Sequence, residues 1–107
     1  MHRLPPALAA AATPQILELL GEGPGRVLEL GFAGIHARPL ELAGWTVEVV
    51  ESDPRQAARA HERGAQIVER ADGRFDAVIA QSGTDLTDID AARILLVASD
   101  GSVREVR

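Results

Sequence analysis

Between Arg26 and Pro54 the chain reads RVLELGFAGIHARPLELAGWTVEVVESDP, and this stretch limits the fold more than any other. A short apolar run, Val27 to Leu30, stops at Gly31. A turn with glycines at 31 and 34 follows, then a helical stretch within residues 35–43. Trp45 to Glu51 comes next, where Val47, Val49 and Val50 are β-branched and read as a buried strand. Strand, glycine turn, helix and strand make one βαβ unit, and acidic Glu51 closes its second strand twenty residues after Gly31. Pro39 lacks a backbone donor, so the helix is expected to kink there or to begin its regular part late.

The rest of the chain completes a sheet around this unit or covers it. Residues 5–12 are alanine-rich and read either as a short helix with Pro5 or Pro6 in its first turn or as a frayed end, residues 1–12 being the loose part of a single domain spanning 1–107. Thr13-Pro14 is a helix start, with Thr13 as N-cap and Gly21 as the stop. Ile16, Leu17, Leu19 and Leu20 supply that helix with a docking stripe. GEGPG (21–25) is a connector. Asp53-Pro54 and Gly64 bracket another helix, with Ala57, Ala58 and Ala60 as its inner face.

Ala65 to Glu69 and Phe75 to Ala80 read as the third and fourth strands, joined by a link too short for a crossover helix. The third strand is therefore placed beyond the second, and the fourth returns beside the first. A short capped helix is expected around Thr87 to Ala92, with Asp85, Asp88 and Asp90 as helix-start acids, and a fifth strand over Ile94 to Ala98. Asp100-Gly101 is a hairpin signal. It returns Val103 to Val106 as an antiparallel edge strand, whose Arg104, Glu105 and Arg107 discourage edge pairing. The expected fold is α/β, a three-layer Rossmann-like domain with a mostly parallel sheet of order 3-2-1-4-5 plus antiparallel edge strand 6.

Composition narrows the chemistry. All eleven basic residues are Arg, and the chain has no Lys, Cys, Asn or Tyr. Schiff-base chemistry, a P-loop, thiol catalysis, disulfides and thiolate metal sites are thereby excluded. A net charge of −5 gives no electrostatic case for nucleic acid or an anionic membrane as partner. No apolar run approaches the ~20 residues of a transmembrane helix, and the N-terminal residues are a poor signal peptide, so a cytoplasmic location is expected. His2, His36 and His61 have no metal-ligand spacing. Of these, His36 stands beside the candidate site and reads either as a base near neutral pH or, more in keeping with its context, as a surface residue. Phe32 and Trp45 read as core or interface, with an exposed Phe32 able to stack on an adenine.

A nucleotide that lies after the first strand must approach the backbone closely, so the turn Gly31-Phe32-Ala33-Gly34 is the expected contact. Glu51 points where a ribose would lie, with Ser52 beside it and Gln81 at the end of the fourth strand completing the set. Against the dinucleotide pattern G-x-G-x-x-G, Gly31, Ala33 and His36 retain one glycine of three. The chain more closely resembles class I S-adenosylmethionine-dependent methyltransferases over residues 14–98. Glu29 stands two residues before Gly31 in V-L-E-L-G-F-A-G, the second strand closes in Glu51-Ser52-Asp53-Pro54, and the fourth reads Phe75-Asp76-Ala77-Val78.

That resemblance implies that Glu29 and the Gly31–Gly34 turn hold the methionine part of S-adenosylmethionine, Glu51 the ribose hydroxyls and Asp72 the adenine amino group. From its own context Glu29 reads equally as a carboxylate capping a neighbouring helix, and Asp72-Gly73 as a plain turn. Ala33 and Ile35 replace the family's second and third glycines, and Gln81-Ser82-Gly83 replaces the signature of amino-group methylation. The expected role is binding S-adenosylmethionine or its homocysteine product, without catalysis by the lone chain and with homodimerisation able to complete the site. A regulatory NAD or adenosine-nucleotide module, or a degenerate fold serving protein interaction, are the other two readings.

Overall fold

The computed structural model describes residues 3–107, so His2 lies outside the described residues. The elements are α1 (Pro6–Ala11), α2 (Thr13–Leu20), β1 (Arg26–Leu30), α3 (Ala37–Leu42), β2 (Thr46–Val50), α4 (Pro54–Glu62), β3 (Gln66–Val68), β4 (Arg74–Gln81), β5 (Asp90–Val97) and β6 (Val103–Glu105). They form one six-stranded sheet of order β3-β2-β1-β4-β5-β6. The first five strands are parallel, and β6 returns antiparallel on β5, with Val97 opposite Val103. This is the expected order.

The two faces are covered differently. Ile16 and Leu20 of α2, Leu40 of α3 and Ala60 of α4 share one core cluster with Val27, Val49, Ala77 and Ile79 of the sheet. On the other face Leu28, Phe75, Val78 and Ile94 form a second cluster, covered by Ala71, Leu86 and Ile89 from two links. The third layer is thus made of connections, and the helices lie together on the first face. Arg26 lies over the Phe75 ring, with its guanidinium carbon 4.1 Å from the centroid.

Several local expectations are corrected. Residues 87–92 form no helix: β5 already begins at Asp90, because pairing Phe75 with Ala91 buries Ala91 in the sheet. The capping signals there make a turn instead, in which the Asp85 carboxylate accepts from the Thr87 N–H at 3.0 Å. Thr13 is not an N-cap, because α1 runs into α2 through helical Ala12. Its hydroxyl instead shares a 2.8 Å hydrogen bond with His36 Nδ1. Ala58 faces solvent, so only Ala57 and Ala60 turn inward from α4. Asp53 does cap α4, accepting from the Arg55 N–H at 2.9 Å. Pro39 falls in the first turn of α3, where its missing N–H has no helical partner to lose.

The connector 21–25 is a packed surface in its own right. The Trp45 indole N–H donates to the Gly21 carbonyl at 2.9 Å, and the ring lies across Gly25. A Cβ on Gly25 would sit 2.4 Å from the Trp45 ring and 2.9 Å from Asp76 Oδ2. Gly25→Ala is therefore expected to cost about 1–3 kcal/mol through overpacking. Chemical denaturation measures this, and unchanged stability would show that the ring has room to move. At the other end of the sheet, Gln15 of α2 bonds both the N–H and the carbonyl of Val103, and Glu105 pairs with Arg93 at 2.7 Å. These contacts tie the edge strand down.

Candidate functional site

Strand order reverses between β1 and β4, the place where parallel α/β sheets open a crevice at their carboxyl ends. Here that crevice encloses about 450 Å³ and is lined by Gly31, Glu51, Ser52, Gln81 and Asp85, among others. Four of the residues expected from the sequence therefore meet in one place. Gly31 has φ +83°, and a Cβ added there would meet nothing within 4 Å, so its backbone lies open to an approaching group.

The turn after β1 is held by carboxylates from two strands. Glu51, at the end of β2, accepts from the Ala33 N–H at 2.7 Å. Arg63, just past α4, donates to the Ala33 carbonyl at 2.7 Å. Ala33 takes φ +52°, a left-handed conformation costing a non-glycine residue roughly 1 kcal/mol, and these two bonds hold it there. Gly34 faces inward: its Cβ would lie 3.1 Å from the Ala65 methyl and 3.3 Å from Ala60, so this glycine serves close packing of the turn on α4.

Glu29 is fully buried on the helical face, where it accepts from the backbone N–H of His36 at 2.7 Å. Of the two readings of this residue, its contacts are those of a cap at the start of α3. Burial pushes its carboxyl up to about 7, with backbone donation opposing. His36 is buried too, correcting the surface reading, and burial pulls its imidazole down to about 4. Glu29 Oε2 and His36 Nε2 have no hydrogen-bond partner among the described residues.

Phe32 is 2% exposed, edge-on to His36 with ring centroids 4.9 Å apart, and so is core and not an adenine platform. Asp72 is likewise corrected. The link from β3 carries the chain back to the start of β4, and Asp72 is exposed there beside Arg26, at the amino edge of the sheet. The length of β1, roughly 13 Å, separates that edge from the crevice. Among the described residues, no group of His, Asp or Glu is placed to hold a metal ion, and no helix is long and apolar enough to cross a membrane.

Arg3 was not among the expected residues. It lies over Glu51 with Nη2 2.7 Å from Oε1 and Nη1 2.9 Å from Oε2, and donates to the Gly31 carbonyl at 2.6 Å. Residues 3 and 51 are too far apart in the chain for any local pattern to reveal the pair.

The fold is a Rossmann-like α/β core similar to that of solved methyltransferases. It is shared with the glycopeptide N-methyltransferase MtfA at a TM-score of 0.59 and 19% identity, over 82% of this chain and 52% of MtfA. A putative RNA methyltransferase from Pyrococcus horikoshii gives 0.61 and 19%, over 84% of this chain and 56% of its own. MtfA has also been solved with S-adenosylmethionine and with sinefungin. This chain thus spans about half the length of the structures it matches. No protein-family model and no curated protein matches the sequence.

Proposed function

We propose that the crevice binds S-adenosylmethionine or its homocysteine product, with Glu51 accepting the ribose hydroxyls, Gly31 admitting the ligand to the backbone, and Ser52 and Gln81 lining it. The observation that carries this reading is the placement of Glu51. Its carboxylate stands at the carboxyl end of β2, hydrogen-bonded to the turn after β1 and beside an open crevice. Two charge-assisted bonds from a ribose diol contribute about 1.5–3 kcal/mol each before desolvation.

The same turn favours a ligand without a pyrophosphate. A dinucleotide needs free N–H groups after the first strand. Here that of His36 already goes to Glu29, and that of Ala33 to Glu51. The reading concerns the nucleoside site, and methyl transfer to an acceptor is no part of it.

Calorimetric titration with S-adenosylmethionine, S-adenosylhomocysteine and NAD tests the reading. Binding of the first two with no heat from NAD is expected. Binding of NAD alone would replace it with the dinucleotide reading. Silence from all three at millimolar concentration would leave a fold that serves protein contacts.

A further inference from the structure

The acid assigned to the ribose is already engaged by the chain itself. Arg3 covers it bidentately, and the Glu51 side chain is 1% exposed beneath an Arg3 that is 36% exposed. The same guanidinium reaches the Gly31 carbonyl, and the next residue's N–H, that of Leu4, donates to Gln81 Oε1 at 3.2 Å. Three residues of the proposed ligand site, Gly31, Glu51 and Gln81, are therefore bonded by two consecutive residues ahead of α1. The crevice beyond Arg3 stays open, so what this segment removes is access to the ribose position.

We infer that residues 3–5 form an intramolecular strap over the nucleoside site, with Arg3 standing where the ribose belongs, so that ligand enters by displacing its guanidinium. The inference rests on the ligand reading above. The strap is built to open at one end. Leu4 is buried in the main core and anchors the segment, whereas the Arg3 head is partly exposed and can turn into water without disturbing that anchor. An anchored cation returns readily, because its local concentration is set by a few rotatable bonds. Its pairing with Glu51 is electrostatic and partly exposed, so salt weakens it. S-adenosylhomocysteine carries no net charge and serves as the probe.

Titrating this ligand into the full chain and into Arg3→Ala separates the outcomes, with Arg3→Gln as a second variant that keeps most of the side-chain length. Both variants are expected to bind about tenfold tighter than the unaltered chain. Raising the salt from about 0.05 to about 0.5 M should tighten binding to the unaltered chain and leave the variants unchanged. Equal affinities and equal salt responses would overturn the strap while leaving the site intact. Weaker binding by the variants would overturn it too, making Arg3 a ligand contact. No binding by any of the three would remove both the strap and the site.

Discussion

Glu29→Gln is expected to make the domain lose stability on acidification, at about 1.4 kcal/mol per pH unit between roughly pH 6.5 and 4.5, where the unaltered chain is nearly flat. The flatness comes from two buried groups that titrate against each other. Glu29 is raised from 4.5 to about 7, chiefly by burial, so the folded chain holds that proton more tightly than the unfolded one. Its contribution is fully present below pH 4.5 and is lost as pH rises through 7. His36 is lowered from 6.5 to about 4 by burial, so its contribution is present above pH 6.5 and is lost as pH falls through 4. Between about 4.5 and 6.5 the slopes oppose each other, each worth close to one proton.

Removing one group exposes the other. In Glu29→Gln the His36 slope remains, amounting to about 3 kcal/mol across its window. In His36→Gln, where an amide can still meet the Thr13 hydroxyl, stability should fall as pH rises from 4.5 to about 7. The carboxyls of Asp85, Asp100 and Glu105 are held low by hydrogen bonds from Thr87, Ser102 and Arg93, so their losses fall below this window. Urea denaturation at a series of pH values reads these slopes directly. Identical slopes in all three proteins would mean that neither group keeps its buried state.

Glu51→Ala should weaken S-adenosylhomocysteine binding at least about tenfold, although it also frees Arg3. Two ribose hydroxyls lose their acceptor, and the Ala33 N–H loses the bond that holds a left-handed residue in place. The second loss also costs stability, about 1–3 kcal/mol for an unsatisfied buried donor. Arg3, being partly exposed, turns to water and adds little. Substitutions at the two ends of one ion pair thus shift affinity in opposite directions, loss at Glu51 and gain at Arg3. A structural salt bridge unconnected with the ligand would move neither affinity. Tighter binding by Glu51→Ala would show that the carboxylate opposes the ligand.

Much of the site was legible because its parts are local. A strand that ends in glycine, a strand that ends in an acid, and an aspartate-proline helix start are patterns of a few neighbouring residues. They led to Gly31, Glu51 and the cap at Asp53. The glycine at 34 was legible as a requirement, but its purpose, close packing on Ala60 and Ala65, belongs to α4 and β3. Asp72 shows the limit in the other direction. Its residue type suited the role, but a link that crosses back under the sheet delivers it to the wrong edge. At 87–92 the helix-start signals were real and lost to strand pairing, because β5 buries apolar surface against β4 that a short exposed helix would leave in water.

By itself the sequence determined the strand order, the acid at the end of β2 and the exclusion of lysine, thiol and P-loop chemistry. These follow from composition, from link lengths and from periodicities that each short segment carries alone. Only the tertiary structure decided which way the charges face. It placed Glu29 and His36 out of water, where desolvation drives their titrations apart, and it brought Arg3 onto Glu51 across a separation of 48 residues. Burial and long-range ion pairing depend on what the rest of the chain brings alongside a residue. For that reason the turn after β1 could be singled out as a candidate site from its own residues, whereas the Arg3–Glu51 pair lying across it could not.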